Sequence, residues 1–196
     1  VLIGAKTGVG DLHIGPLYSY LAALFFGVLQ MDPIAGAILS GVIATITIAF
    51  SLYVIWDISS YKIALIFAAL ESSSSLLIFY DRIPWNVNLM FLFSLCIASG
   101  FMYLQKSNTY KGWIFLGIGA FLGINSHFSI VLFLVTLLLF TLINRKYINK
   151  HLFLFLGGLG FGILPLFLFE LKNHFLLTQK FMSFLGNSTT KSTLFG

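Results

Sequence analysis

The chain has 196 residues, of which 59% are hydrophobic and 9% charged, with a formal net charge of +5. Soluble domains carry about 25% charged residues, so a mean hydropathy of +0.99 leaves too few polar side chains to coat a water-facing globule. That excludes a soluble domain, a disordered tail and a nucleic-acid module; the single Cys96 offers neither a disulfide nor a cysteine metal site. The composition is that of an integral membrane protein. Val1 stands where a start methionine would, and no leader pattern precedes the apolar runs. The expectation is an internal piece of a longer membrane protein, folded as one transmembrane module over residues 1–196.

Residues 17–29 form a short apolar run, opened by Gly15-Pro16 and closed by Asp32-Pro33. A bilayer core of about 30 Å takes ~20 helical residues, which makes this run too short for an ordinary span. Tyr18, Tyr20, Phe25 and Phe26 suit the headgroup boundary, so the run predicts a helix lying in the interface, with a short span as the alternative. Asp32 then caps a new helix with Pro33 in its first position, and spans follow over 33–56, 62–79 and 88–104. The stretch 112–143 would extend about 48 Å as one helix at 1.5 Å per residue. Lys106 and Lys111 precede it and Arg145, Lys146 and Lys150 follow it, so both ends belong on the cytoplasmic side. Two short passes meeting near residues 123–127 satisfy that, and a last span covers 151–169. The expected fold is all-α, with about six transmembrane helices and one interfacial helix.

The same basic residues, with Lys62, orient the protein. The opposite, outer face then receives Asp11 and His13, Asp81, Arg82 and Asn86, Asn125 and His127, and Glu170, Lys172 and His174. Ionisable groups at membrane level are costly and tend to face a cavity or a partner, so these four segments are candidates for one site. Each has a plainer reading. Arg82, beside Tyr80 and Trp85, either grips a phosphate bidentately or pairs with Asp81. His127 either donates to a phosphate or caps a helix. Glu71, near mid-membrane, is either a proton or ion relay or a carboxyl bonded to the neighbouring serines 72–75. The glycines at 117, 119 and 123, and at 157, 158, 160 and 162, have small-residue spacing that lets helices pack closely. No metal site is read from the residues.

In order, these segments resemble the GT-C superfamily of polyprenyl-phosphate-dependent glycosyltransferases, in its branch related to protein mannosyltransferases and lipopolysaccharide core transferases. The carrying motifs are HIGPLYSY at 13–20, FYDRIPWNVN at 79–88, GINSH at 123–127 and PLFLFE at 165–170. They are similar to the family's H-x-P/G-P-L-Y-Y-Y, Y-S-R-x-x-W-N-P-N, G-x-x-x-H and P-x-x-x-F-E stretches. Asp81 stands for the usual Ser, and Val87 for the usual Pro. The resemblance implies transfer, with inversion, of a sugar from a polyprenyl-phosphate donor to the hydroxyl of a glycan, lipid or protein. It implies a carboxylate base, with the family's first span and acidic motif expected ahead of Val1 and Asp11 as the acid left in the first outer loop. His13, Tyr18, Arg82, Asn86 and His127 fall to donor phosphate and sugar, and Asp81, Glu170 and His174 to the acceptor rim. The aromatics of the interfacial helix fall to a prenyl groove. The implied setting is the inner membrane of a prokaryote, with the site facing the outside or periplasm; no cofactor is certain and a divalent metal is left open. Membrane lipids are the other partner, and nucleic acid is not one. The competing class is a transporter or lipid-carbohydrate flippase resting on Glu71, disfavoured because no inverted repeat is evident and the polar residues gather at one edge.

Overall fold

A computed structural model describes residues 2–7 and 12–183, and Asp11 therefore lies outside the described residues. The helices are α1 (Leu17–Val28), α2 (Ile34–Ile58), α3 (Tyr61–Ser73), α4 (Ser75–Asp81), α5 (Leu89–Gln105), α6 (Thr109–Ser126), α7 (Ile130–Ile143) and α8 (Leu152–Lys172), with short 3₁₀ turns at Asn86–Asn88 and Arg145–Tyr147. A further helix occupies 176–183. Among the described residues the only extended pairing is one bridge between Lys6 and His13.

Helix starts are fixed by short polar side chains, because the first N–H groups of a helix have no partner within it and little water to turn to. Asp32 Oδ1 accepts from Ile34 N at 2.9 Å, as its sequence position ahead of Pro33 predicts. The Ser60 and Asn108 side chains do the same for α3 and α6. The span expected over 62–79 is broken. Ser74 is extended at φ −68°, ψ 113°, its hydroxyl accepts from Leu77 N, and α3 and α4 meet at a bend of 63°. The physical reason is the serine run: a hydroxyl that can satisfy a backbone N–H offers an alternative to the helical ladder.

Among the described residues three helices are long and apolar enough to cross a membrane, Ile34–Ile58, Asn86–Gln105 and Leu152–Lys172; the bent α3–α4 pair brings the number to four if it is taken as one span. The six expected spans are thus not all alike. The stretch 112–143 does divide into two helices, α6 and α7, but neither meets that test. α6 fails because it is the centre of the bundle. Trp113, Leu116 and Ala120 are wholly buried, and its glycines meet neighbouring helices instead of lipid. Gly112 faces the Gly100 carbonyl of α5, while Gly117 meets the backbone of Leu154 and Phe155 on α8. A helix clasped on both sides needs close approach more than apolar bulk.

These contacts fix the helix directions. The end of α5 lies by the start of α6, so those two run antiparallel, whereas Gly117 lies by Leu154 and Gly162 of α8 lies by Phe121 and Ile124, so α8 runs parallel to α6. α7 returns along α5 on aromatic edges, with Phe93–Phe133 centroids 6.1 Å apart and Phe101–Phe140 4.9 Å apart. One end of the bundle is therefore basic. There Lys111 Nζ reaches Asp57 at 2.6 Å, the Tyr103 hydroxyl donates to the same carboxylate, and Lys106 donates to the Ile58 carbonyl. The α6–α7 turn lies at the other end.

Candidate functional site

At that other end three chain segments are laced to the last turn of α6. The first is a short hairpin of residues 4–7 and 12–14, closed by Gly4 N to Ile14 O at 2.8 Å and Thr7 N to Leu12 O at 2.7 Å. It runs into Gly15, whose N–H donates to Ile124 O at 3.0 Å. Asn125, only 2% exposed, accepts from Leu17 N through Oδ1 at 3.1 Å and donates through Nδ2 to Phe121 O at 2.8 Å. It thereby caps α1 from a different helix. Gly15 allows this, since a Cβ there would sit 2.1 Å from Asn125 Oδ1. The second segment is the α4–α5 connection, where Asn86 Nδ2 donates to Ser126 O at 2.7 Å. The third is the α6–α7 turn itself.

Between them lies a cleft of about 270 Å³, lined among others by Lys6, Thr7, Trp85, Asn86, Ser126, His127 and Phe128. His127 Nδ1 accepts from Ser129 N at 3.1 Å, so a neutral ring carries its proton on Nε2 and keeps that N–H as a donor. Lys6 adds an ammonium and Asn86 an amide, while Trp85, 47% exposed, supplies a flat apolar face. No Asp or Glu lines the cleft among the described residues. α7 starts at Ile130, which sets the positive end of its dipole beside the cleft. Such a set of donors suits an anion, and an indole face suits a sugar ring packed on it.

A second, apolar depression of about 430 Å³ adjoins the cleft, between α5 and α7. Its walls begin at Met90 and Ser129, within a turn of the cleft residues Val87 and Phe128, and continue through Phe93, Ile97, Leu132 and Thr136. It exists because α7 rests on Phe101 and Phe133 edges instead of seating its backbone on α5.

The sequence-predicted residues divide. His127 and Asn86 share the cleft. His13 does not line it: Nδ1 donates to Gly4 O at 3.0 Å, clipping the hairpin that forms one wall. Tyr18 turns into the α1–α2 contact, where its hydroxyl is buried close to Ser40 without a hydrogen bond of normal geometry; burial pushes the phenol above its ordinary value. Arg82 is exposed at the end of α4 and makes no ion pair with Asp81 among the described residues. Asp81 lies apart, in a cavity of about 100 Å³ with Glu71, Thr47 and Asn88. Glu71 itself accepts from Ser51 on α2 at 2.6 Å, not from the serines beside it. Glu170 is occupied with helix 176–183, accepting from Leu177 N, Thr178 N and the Thr178 hydroxyl at 2.6–3.0 Å. His174 sits in the adjoining turn at φ 53°, its carbonyl accepting from Gln179. Glu170 and His174 thus share one turn, while Asp81 lies in the cavity with Glu71. Lys6 and the packing face of Trp85 were missed: Lys6 is an isolated basic residue in a segment with no motif of its own, and Trp85 lay in a recognised motif but read only as a flank of Arg82. Among the described residues no three His, Cys, Asp or Glu side chains gather as metal ligands.

An all-helical membrane module with a donor-lined cleft at one end describes a class, and the family comparison narrows it. The chain belongs to the dolichyl-phosphate-mannose-protein mannosyltransferase family, whose profile matches residues 13–169. It is a membrane glycosyltransferase of the kind that uses a lipid-linked sugar. No curated protein and no solved structure matches it.

Proposed function

We propose that the chain transfers a sugar from a polyprenyl-phosphate carrier to an acceptor hydroxyl at the outer membrane face, with inversion at the sugar carbon. The carrying observation is the junction of two environments: a cleft with Lys6, Asn86 and His127 beside Trp85, and an apolar groove adjoining it. A lipid-phosphate sugar has the same division into an anionic head and an isoprenoid tail. On this reading the tail lies along Phe93, Ile97, Leu132 and Phe133, not along the interfacial helix, and the phosphate takes donors from His127 Nε2 and Lys6. Arg82, three residues before Trp85 and exposed, adds a second cation from the cleft's edge. His13 acts by holding the hairpin wall.

A carboxylate removes the proton of the acceptor hydroxyl as its oxygen attacks the sugar carbon. The bond from that carbon to the phosphate oxygen breaks, and the electron pair leaves on the lipid phosphate, where fixed N–H groups meet the developing charge. Asp11, or an acid of a preceding segment, is the base. The test is transfer from a lipid-linked sugar by membranes carrying His127→Ala or Asn86→Ala. Removing one such donor lowers turnover about 10²–10³-fold in comparable sites, with the protein still inserted. Full activity in both variants would overturn the assignment; retained activity in Arg82→Ala alone would remove only that residue.

A further inference from the structure

The basic end holds a second surface with a different chemistry. The connector between α7 and α8 is pinned at both ends. The Trp113 indole, wholly buried, donates to Tyr147 O at 3.1 Å, and the Tyr147 ring stacks on Phe140 at 5.4 Å with an interplanar angle of 8°. At its far end His151 Nδ1 bonds the Thr109 hydroxyl at 3.0 Å, and His151 N donates to Asn149 Oδ1 at 2.9 Å. From this fixed backbone project Arg145, Lys146 and Lys150, all exposed. Lys146 Nζ lies over the Tyr147 ring at 4.9 Å.

Among the described residues no carboxylate pairs with these cations. The acid of this end, Asp57, is held by Lys111 and Tyr103. Of the other described acids, Asp32 caps α2, Glu71 is bonded to Ser51, Asp81 lies in its own cavity and Glu170 caps the last helix. The connector joins two apolar helices, so its exposed side chains stand at headgroup depth.

We infer that the Arg145–Lys150 connector is a docking site for acidic phospholipid headgroups. The phosphodiester is the group a guanidinium and two ammonium groups recognise together. A zwitterionic lipid brings its own cation against the same three charges, which sets the preference for an acidic one. The site is independent of the transfer chemistry at the opposite end.

The experiment uses the full chain in nanodiscs of phosphatidylcholine with a minor fraction of phosphatidylglycerol, reading retained lipid by native mass spectrometry. The wild type is expected to keep phosphatidylglycerol in preference to phosphatidylcholine. Arg145→Gln, Lys146→Gln and Lys150→Gln together are expected to lower that preference at least about tenfold, since juxtamembrane basic residues each contribute severalfold. The pair Lys62→Gln and Lys106→Gln, at the same end but off the connector, is expected to leave most of it. An unchanged preference in the triple variant overturns the site. An equal loss in the control pair also overturns it, in favour of diffuse charge.

Discussion

Gly158→Ala is the sharpest test of how α6 is held. A Cβ at 158 would lie 2.2 Å from the Gly117 carbonyl oxygen and 2.5 Å from its carbon. Both partners are helical backbone, so no flexible side chain can swing aside. Ordinary contact begins at 3.4 Å, and α8 must therefore retreat by about 1 Å along its line of contact, at the upper end of the ~1–3 kcal/mol typical of overpacking. Gly157 and Gly160 on the same helix supply the control, because a Cβ at either meets nothing within 4 Å. Those substitutions remove a poor helix former and are expected to be neutral or stabilising by up to about 1 kcal/mol. Thermal unfolding in detergent, followed by tryptophan fluorescence, should place Gly158→Ala roughly 4–10 °C below wild type, at about 2–4 °C per kcal/mol. Equal midpoints for Gly158→Ala and Gly160→Ala would refute the backbone contact and with it the central position of α6.

Asn125→Leu is expected to cost about 1–3 kcal/mol, because Leu17 N loses its acceptor while Phe121 O keeps only its helical N–H donor, and to abolish lipid-linked transfer; a cost below ~0.5 kcal/mol would remove its bracing role. At the basic end, Asp57→Leu should lower the unfolding midpoint more than Asp57→Asn, since Asn keeps an acceptor for the Tyr103 hydroxyl and gives up only the ion pair with Lys111. Those two charged side chains are 34% and 38% exposed, so solvent screens the ion pair; the reverse order of midpoints would contradict this account.

Sequence made the elements legible wherever one residue dictates backbone chemistry. Asp32-Pro33 predicted the start of α2, and the cations flanking 112–143 predicted a chain that turns back near 123–127; α6 in fact runs through Ser126 and the turn falls at 127–129. The small-residue spacing of its glycines marked α6 for close packing, and the Gly117–Gly158 approach bears that out. The polar residues of three segments stand near one cleft, which Asn86 and His127 line, while the fourth, at Glu170 and His174, does not line it. Whether a carboxylate faces a cleft or caps a helix depends on which N–H groups stand near it, and Glu170 found those of Leu177 and Thr178 seven and eight positions away. Asn125 shows the converse. Nothing local marks a residue whose partner, Leu17, lies 108 positions earlier.

That separation has a consequence in time. The hydrogen bond from Leu17 to Asn125 spans 108 residues of chain, and a ribosome adding 5–20 residues per second takes roughly 5–20 s to synthesise that length. Until then the start of α1 and the hairpin before it lack this tie to the bundle, although α1 already has α2 to pack against. The cleft is therefore a late product of biosynthesis, completed when α6 arrives. A nascent chain arrested before residue 125 would carry hydrophobic helices in the membrane but no assembled cleft.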